Sequence, residues 1–205
     1  RDSNNDGYLD LFVIGDDADT GESALKLYRN ESGNSVTEIW ESSYNEFQEG
    51  MSIADLDNDG YPEIIVGSSD HNIYALRHNG SLFWKYETNG EVYSAAAIGD
   101  LNGDGFDDLI MNAELAEGTP FFIALSNGDR TFTIKRWNLS DFFPCLDDRN
   151  RRIRSLAYNI SPLADLNGDG LLDFFTTGRF YTVLVLGDAE ANFRVIPHNG
   201  FPSPL

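Results

Sequence analysis

An acidic nine-residue pattern, D-x-[DN]-x-D-G-x-x-[DE], occurs four times in this chain of 205 residues: DSNNDGYLD at 2–10, DLDNDGYPE at 55–63, DLNGDGFDD at 100–108 and DLNGDGLLD at 165–173. Oxygen-bearing side chains at positions 1, 3 and 5 converge on one point only where the backbone curls around it, and the glycine at position 6 permits that turn. Position 7 then offers its carbonyl and the acid at position 9 closes the shell. Six or seven hard oxygens around one centre suit calcium far better than zinc or copper. A single copy would read equally well as an Asx/Gly turn without metal. Four copies shift the balance, because a plain turn does not require oxygens at positions 1, 3, 5 and 9 each time.

The loop is not an EF-hand. That motif ends in a bidentate glutamate at position 12, where this chain has Val13, Val66, Met111 and Thr176. The flanks also read as strands: LDLFVIG, PEIIVG, DDLIMN and LDFFTTG are short apolar, partly β-branched runs that stop at small or turn residues. At positions 1, 3, 5 and 9 the second loop carries four acids, Asp55, Asp57, Asp59 and Glu63, whereas each of the others carries three and an asparagine at position 3. Its extra charge favours tighter binding, the longer glutamate disfavours ideal geometry, and the sign of the net effect stays open.

Composition excludes several classes. With 34 acidic against 14 basic residues the formal charge is -20, which argues against a nucleic-acid partner bound through a basic surface. A hydrophobic content of 41% with 13% aromatics is too rich for an acidic disordered tail. No apolar run approaches the roughly 18–20 residues of a membrane span, and the first residues, RDSNNDGYLD, are unlike a secretory signal. The single cysteine, Cys145, excludes an internal disulfide framework.

The loops start at 2, 55, 100 and 165 and so recur at intervals of 53, 45 and 65 residues, a scale that indicates stacked supersecondary units. In each unit a strand of small or apolar residues enters the loop (GMSIAD, YSAAAIGD, NISPLAD), a hydrophobic strand leaves it, and two more follow around an Asn, Gly or Asp turn, as in NIYALRHNGSLFWKYE, FFIALSNGDRTFTIKRW and YTVLVLGDAEANFRVIP. Four strands per unit make a propeller blade. The fold class expected is all-β, a propeller segment of about four four-stranded blades at about 2–41, 49–87, 92–137 and 156–196. The first unit has no strand ahead of Asp2.

The loop entered from A-D-L or G-D-L, with LYRNESGN or VLGDAEANF downstream, resembles the FG-GAP/VCBS repeat of integrin-alpha-type β-propellers over nearly the whole chain. The resemblance implies a calcium ion in each loop, about four in all, on the face opposite the usual ligand surface. Carried over by position, the side-chain ligands are Asp2, Asn4, Asp6 and Asp10; Asp55, Asp57, Asp59 and Glu63; Asp100, Asn102, Asp104 and Asp108; Asp165, Asn167, Asp169 and Asp173. The carbonyls are those of Tyr8, Tyr61, Phe106 and Leu171. Such propellers close with about seven blades, so the resemblance implies a segment of a larger ring. IYALRHNGSLFWKYETNG also resembles a blade of pyrroloquinoline-quinone-type propellers, in which a tryptophan at the place of Trp84 docks neighbouring blades; no constellation of quinone ligands accompanies it.

The longest interval holds an insertion at 138–156, NLSDFFPCLDDRNRRIRSL, where Arg149, Arg151, Arg152 and Arg154 make up four of the 11 arginines. A long loop on a rigid scaffold is a candidate partner surface for an acidic glycan or protein; the alternative is a solvated loop whose arginines pair with surrounding carboxylates. Phe142, Phe143 and Cys145 read as an apolar plug rather than a reactive centre. His71, His78 and His198 have no metal spacing. Sequons at Asn30, Asn79, Asn138 and Asn159 suit a secreted glycoprotein. The functional expectation is a calcium-binding, extracellular or cell-surface module for adhesion to a protein or glycan, without catalysis. A propeller-type polysaccharide lyase acting on acidic sugars, or a structural subunit of an extracellular assembly, are the alternatives.

Overall fold

The computed structural model describes residues 1–16, 23–33, 35–115, 120–137, 159–177 and 182–196. The insertion with its four arginines, Phe142, Phe143, Cys145, Asn138 and His198 lie outside these described residues. No helix occurs among the described residues, and so none long and apolar enough to cross a membrane.

Among the described residues fifteen strands form four antiparallel sheets in chain order. The first is β1 (Leu11–Asp16), β2 (Ser23–Glu31) and β3 (Ser35–Asn45); the second is β4 (Phe47–Ala54), β5 (Glu63–Ser68), β6 (Asn72–Arg77) and β7 (Leu82–Glu87). The third is β8 (Ala97–Gly99), β9 (Asp108–Asn112), β10 (Phe121–Ser126) and β11 (Phe132–Trp137); the fourth is β12 (Asn159–Ile160), β13 (Phe174–Thr177), β14 (Thr182–Gly187) and β15 (Phe193–Ile196). Each sheet is a meander in which every strand pairs with its sequence neighbour. In blades two to four the acidic loop joins the first two strands; in blade one the loop leads into β1, and three strands are described.

The core lies between blades. Phe12, Leu25 and Leu27 of blade one pack on Ile64, Val66, Tyr74 and Leu76 of blade two. The opposite face of blade two, with Leu56, Ile65, Ile73 and Ala75, packs on Leu109, Met111, Phe122 and Ala124 of blade three. Ile110, Phe121 and Ile123 then meet Phe174, Val183, Val185 and Phe193 of blade four. Alternation along a strand therefore sends successive residues to two different interfaces, which is why EIIVGS and FFIALS read as continuous apolar runs and are buried throughout. The outer strands β7 and β11 alternate between exposed and half-buried positions.

All three tryptophans sit in outer strands and reach to the next blade. Trp40 in β3 donates its indole N–H to the His78 carbonyl at 2.8 Å. Trp84 in β7 lies 4.7 Å from the Phe132 ring, and Trp137 in β11 stands 6.0 Å from Phe193. The docking role expected of Trp84 thus recurs at each blade junction. At the outward faces of the end blades the same repeat positions are uncovered: Leu166 at loop position 2 is 45% exposed, where Leu56 and Leu101 are 1% and 3%.

Candidate metal centre

A shared backbone geometry builds each loop. The position-1 aspartate bends back over the turn and accepts from the amides of positions 5 and 6: Asp2 from Asp6 (3.2 Å) and Gly7 (2.8 Å), Asp55 from Asp59 (3.1 Å) and Gly60 (2.9 Å), Asp100 from Asp104 (3.0 Å) and Gly105 (2.9 Å), Asp165 from Asp169 (3.2 Å) and Gly170 (2.9 Å). At position 5, Asp6, Asp59, Asp104 and Asp169 each accept the position-7 amide of Tyr8, Tyr61, Phe106 and Leu171 at 2.9 Å. Position 6 is glycine every time, with φ between 86 and 90°, a conformation costly for residues with a Cβ. Position 4 is also left-handed in all four loops and is filled by Asn5, Asn58, Gly103 and Gly168.

At position 3 the loops diverge. Asn4, Asn102 and Asn167 each donate a side-chain N–H to the position-5 aspartate at 2.8–2.9 Å. Asp57 has no N–H to give and takes a different partner: its Oδ2 accepts from Nε of Arg130, 2.9 Å away in the β10–β11 hairpin of blade three. The Asp57 side chain is 5% exposed and its Oδ1 has no hydrogen-bond partner.

The position-9 acid is buried in every loop and braces the loop to its blade. Asp10, Asp108 and Asp173 accept from the position-2 amides of Ser3, Leu101 and Leu166 at 2.8–2.9 Å. Their second oxygens accept from Asn30 (2.9 Å), Ser126 (2.8 Å) and Gly187 (3.0 Å), all at the end of the strand that begins the hairpin. Glu63, longer by a methylene, accepts from Leu56 at 2.9 Å and turns toward the loop interior. Oxygens of Asp55, Asp57 and Glu63 there lie within 4.8 Å of one another; Asp59 is not part of this trio.

Crowding of buried carboxylates sets their proton affinity. Burial, followed by the charges of Asp57, Asp59 and Asp55, pushes Glu63 up to about 7, against the pull of the Leu56 amide. Burial likewise pushes Asp108 up to about 6 despite its two amide donors. Asp10 goes the other way: burial opposes ionisation, but the Ser3 hydroxyl, the Asn30 and Ser3 amides and the Arg29 charge together hold it below the usual carboxylate range. The Ser3 hydroxyl, at a position where the other loops carry leucine, is the largest of the pulls that lower Asp10. Asp165 is lowered by the amides of Gly170 and Gly168.

Asp55, Asp57 and Glu63 could therefore hold a cation. The donors are hard oxygens, two are largely withdrawn from solvent, and the buried Asp57 Oδ1 is left without a proton donor, a state a positive ion relieves. In the other three loops the matching side chains sit as the sequence spacing requires, but asparagine at position 3 replaces the carboxylate and hydrogen bonds within the loop engage much of the oxygen set.

Adjacent loops touch. Asn5 donates to the Gly60 carbonyl and Asn58 to the Gly105 carbonyl, both at 3.2 Å, so that position 4 of one loop reaches position 6 of the next; Gly103 in the third loop has no side chain to continue the series. Neither these contacts nor Arg130 was visible to motif reasoning, because each links residues some 47 to 73 positions apart. Of the other residues singled out in the sequence, His78 stacks on Tyr61 at 4.6 Å. His71 offers its carbonyl to Thr88 at 2.9 Å. The Asn30 and Asn79 side chains accept hydrogen bonds within their own turns, from Gly33 and Ser81.

Comparison with known proteins agrees with this architecture. A family model described as FG-GAP-like repeat matches residues 2–66 and 55–111. No curated protein matches the sequence. Among solved structures, the chain is similar to one described as the basis of specific recognition of non-reducing terminal N-acetylglucosamine by an Agrocybe aegerita lectin. The two share 19% identity with a TM-score of 0.50, over 91% of this chain and 52% of that one. The likeness is one of fold, and the chain spans about half the length of that protein.

Proposed function

Because this chain belongs to the FG-GAP-like repeat family, we propose that it is a calcium-stabilised, non-catalytic β-propeller module that binds a glycan or protein ligand outside the cell. The observation that carries the calcium reading is the convergence of Asp55, Asp57 and Glu63 around a buried, unpartnered carboxylate oxygen. The fourfold recurrence of the loop extends it to about one ion per blade. A divalent ion joining side chains of one loop replaces carboxylate repulsion by attraction and ties the two strands that flank the loop. Extracellular calcium is abundant enough to fill even weak sites of this kind, which favours that compartment over the cytosol.

A glycan is the ligand class the propeller likeness to a lectin favours, and the acidic chain, at -20, selects neutral or cationic ligands over acidic ones except at a local basic patch. The insertion at 138–156, with four arginines clustered in its sequence, is the candidate ligand segment. Calorimetric titration of calcium into chelator-stripped protein, with melting followed in parallel, tests the first part. Saturation near four ions with a rise in melting temperature is expected, and no uptake refutes it. Glycan-array binding with and without calcium tests the second; binding of sugars without any turnover is the expected result, and cleavage of an acidic polysaccharide would establish a lyase instead.

A further inference from the structure

The Arg130–Asp57 pair departs from the repeat in two places at once. Equivalent residues in the hairpins of blades two, three and four are fixed by the hydrogen bonds that close them: Arg77 to Ser81 at 2.8 Å, Asn127 to Thr131 at 3.0 Å and Asp188 to Asn192 at 3.0 Å, amide to carbonyl in each case. The residue before the carbonyl partner is Gly80, Arg130 and Ala191, with φ of 82, 70 and 51°. All three are left-handed, a conformation that costs a residue with a Cβ about 1–2 kcal/mol. Each hairpin belongs to the blade that follows one acidic loop. Where the hairpin residue is Gly80, position 3 of the preceding loop is Asn4; where it is Ala191, position 3 is Asn102; where it is Arg130, position 3 is Asp57. The extra carboxylate and the extra cation occur together, and they meet at 2.9 Å.

The geometry divides Asp57 between two partners. Oδ2 accepts from Arg130, whose side chain is 55% exposed, while the buried Oδ1 has no hydrogen-bond partner. We infer that Arg130 is a counter-ion supplied by blade three to the calcium loop of blade two, cancelling the fourth negative charge and thereby setting that site's affinity. The inference rests on the calcium reading above and adds what tunes it: at positions 1, 3, 5 and 9 the second loop, despite four acids there, presents the same net charge as its siblings. Since Arg130 belongs to the neighbouring blade, the tuning holds only while the two blades are docked.

Calcium titration by calorimetry tests this on the full chain, in a parent whose other loops are disabled by Asp6→Asn, Asp104→Asn and Asp169→Asn. These three positions are exposed, and asparagine keeps the side-chain oxygen that accepts the position-7 amide. Arg130→Gly is the informative variant, because glycine is what blade two uses at this place and relieves the left-handed strain. Removing a unit charge a few ångströms from the ion at a near-surface dielectric tightens binding by about tenfold. In an Asp57→Asn background the same substitution changes affinity by less than about twofold, since the untethered arginine swings into screening solvent. Unchanged or weaker binding in the single variant, or equal effects in both backgrounds, overturns the inference. A parent that binds no ion while the unmodified chain does also overturns it. Absence of calcium uptake by the unmodified chain is a separate result that refutes the calcium reading itself.

Discussion

Replacing Glu63 by glutamine should strengthen the metal-free protein and weaken the loaded one. The Glu63 side chain is 1% exposed, and in the absence of an ion its carboxyl is pushed up to about 7 from the ordinary 4.5. At about 1.4 kcal/mol per pH unit, that difference amounts to roughly 3 kcal/mol. The sign follows from linkage: the folded chain holds this proton more tightly than the unfolded one. Its stability contribution is therefore intact below pH 4.5, declines as pH rises to about 7, and is lost above it. Glutamine cannot ionise, still accepts the Leu56 amide, and can donate to the unpartnered Asp57 Oδ1. At pH 8 in chelator the Glu63→Gln protein should melt above the parent by roughly 5–10 °C, and at pH 5 the gap should largely close. With calcium at saturation the order reverses, because the variant has lost a charged ligand. Differential scanning calorimetry at both pH values, with and without the ion, reads all four cases. A variant less stable than the parent in chelator at pH 8, or a gap independent of pH, would falsify the burial argument; failure to reverse with calcium would remove Glu63 from the ligand set.

Two further substitutions probe how loops and hairpins are held. Gly128→Ala places a Cβ 2.4 Å from Cζ of Phe106 at a φ of +71°, so overpacking and backbone strain add, and a loss of about 2–4 kcal/mol is expected in denaturant titration; a loss below about 0.5 kcal/mol would show that the position-7 ring can slide off its hairpin. Asn58→Gly keeps the left-handed position but deletes the donor to Gly105, and since an exposed hydrogen bond contributes about 0.5–1.5 kcal/mol, a small drop in stability is expected, with faster amide exchange at loop three. Unaltered exchange there would mean that the loops are independent.

Blade and loop were legible because both signals are periodic. Continuous apolar runs mark β5, β9 and β10, which are covered on both faces, and the acidic hexapeptide punctuates each unit. The entering strands were legible in place but not in extent: NISPLAD pairs at Asn159–Ile160, through the Ser161 amide to the Phe175 carbonyl at 2.8 Å, and by a bridge at Ala164 to Asp173, with a break at Pro162, which has no N–H to continue the ladder. The burial of position 9 could be anticipated from nothing local. In blades two to four it follows from its place at or just before the start of a strand whose next positions, Ile64, Leu109 and Phe174, enter the interblade core; in blade one Leu11 is exposed, and the amides of Ser3 and Asn30 enclose Asp10 instead. Asp10, Asp108 and Glu63 at the same motif position differ in proton affinity: burial drives Asp108 and Glu63 up, with neighbouring acids adding to Glu63, while the Ser3 hydroxyl and the Asn30 and Ser3 amides outweigh burial at Asp10. Arg130 was invisible for another reason: one arginine in a turn has no period, and it acquires meaning only when each hairpin is set beside the loop of the blade before it.

Such a pairing changes what the repeat holds constant. Residue by residue the four loops differ at positions 2, 3, 4, 7, 8 and 9. At the ligand positions 1, 3, 5 and 9 they match in charge once Arg130 is counted with the loop it touches: the first, third and fourth loops carry three carboxylates and an amide there, and the second carries four carboxylates and a guanidinium, while Asp107 at position 8 of the third loop adds a carboxylate outside that set. A calcium loop with too few charges would not hold its ion, and one with too many would repel itself apart whenever the ion left. Under the calcium reading, ligand sets kept at one charge would load over one range of calcium. Blades that dock through a shared core, as these do pairwise along the chain, would then gain or lose their ions as a set rather than fail at one weak junction.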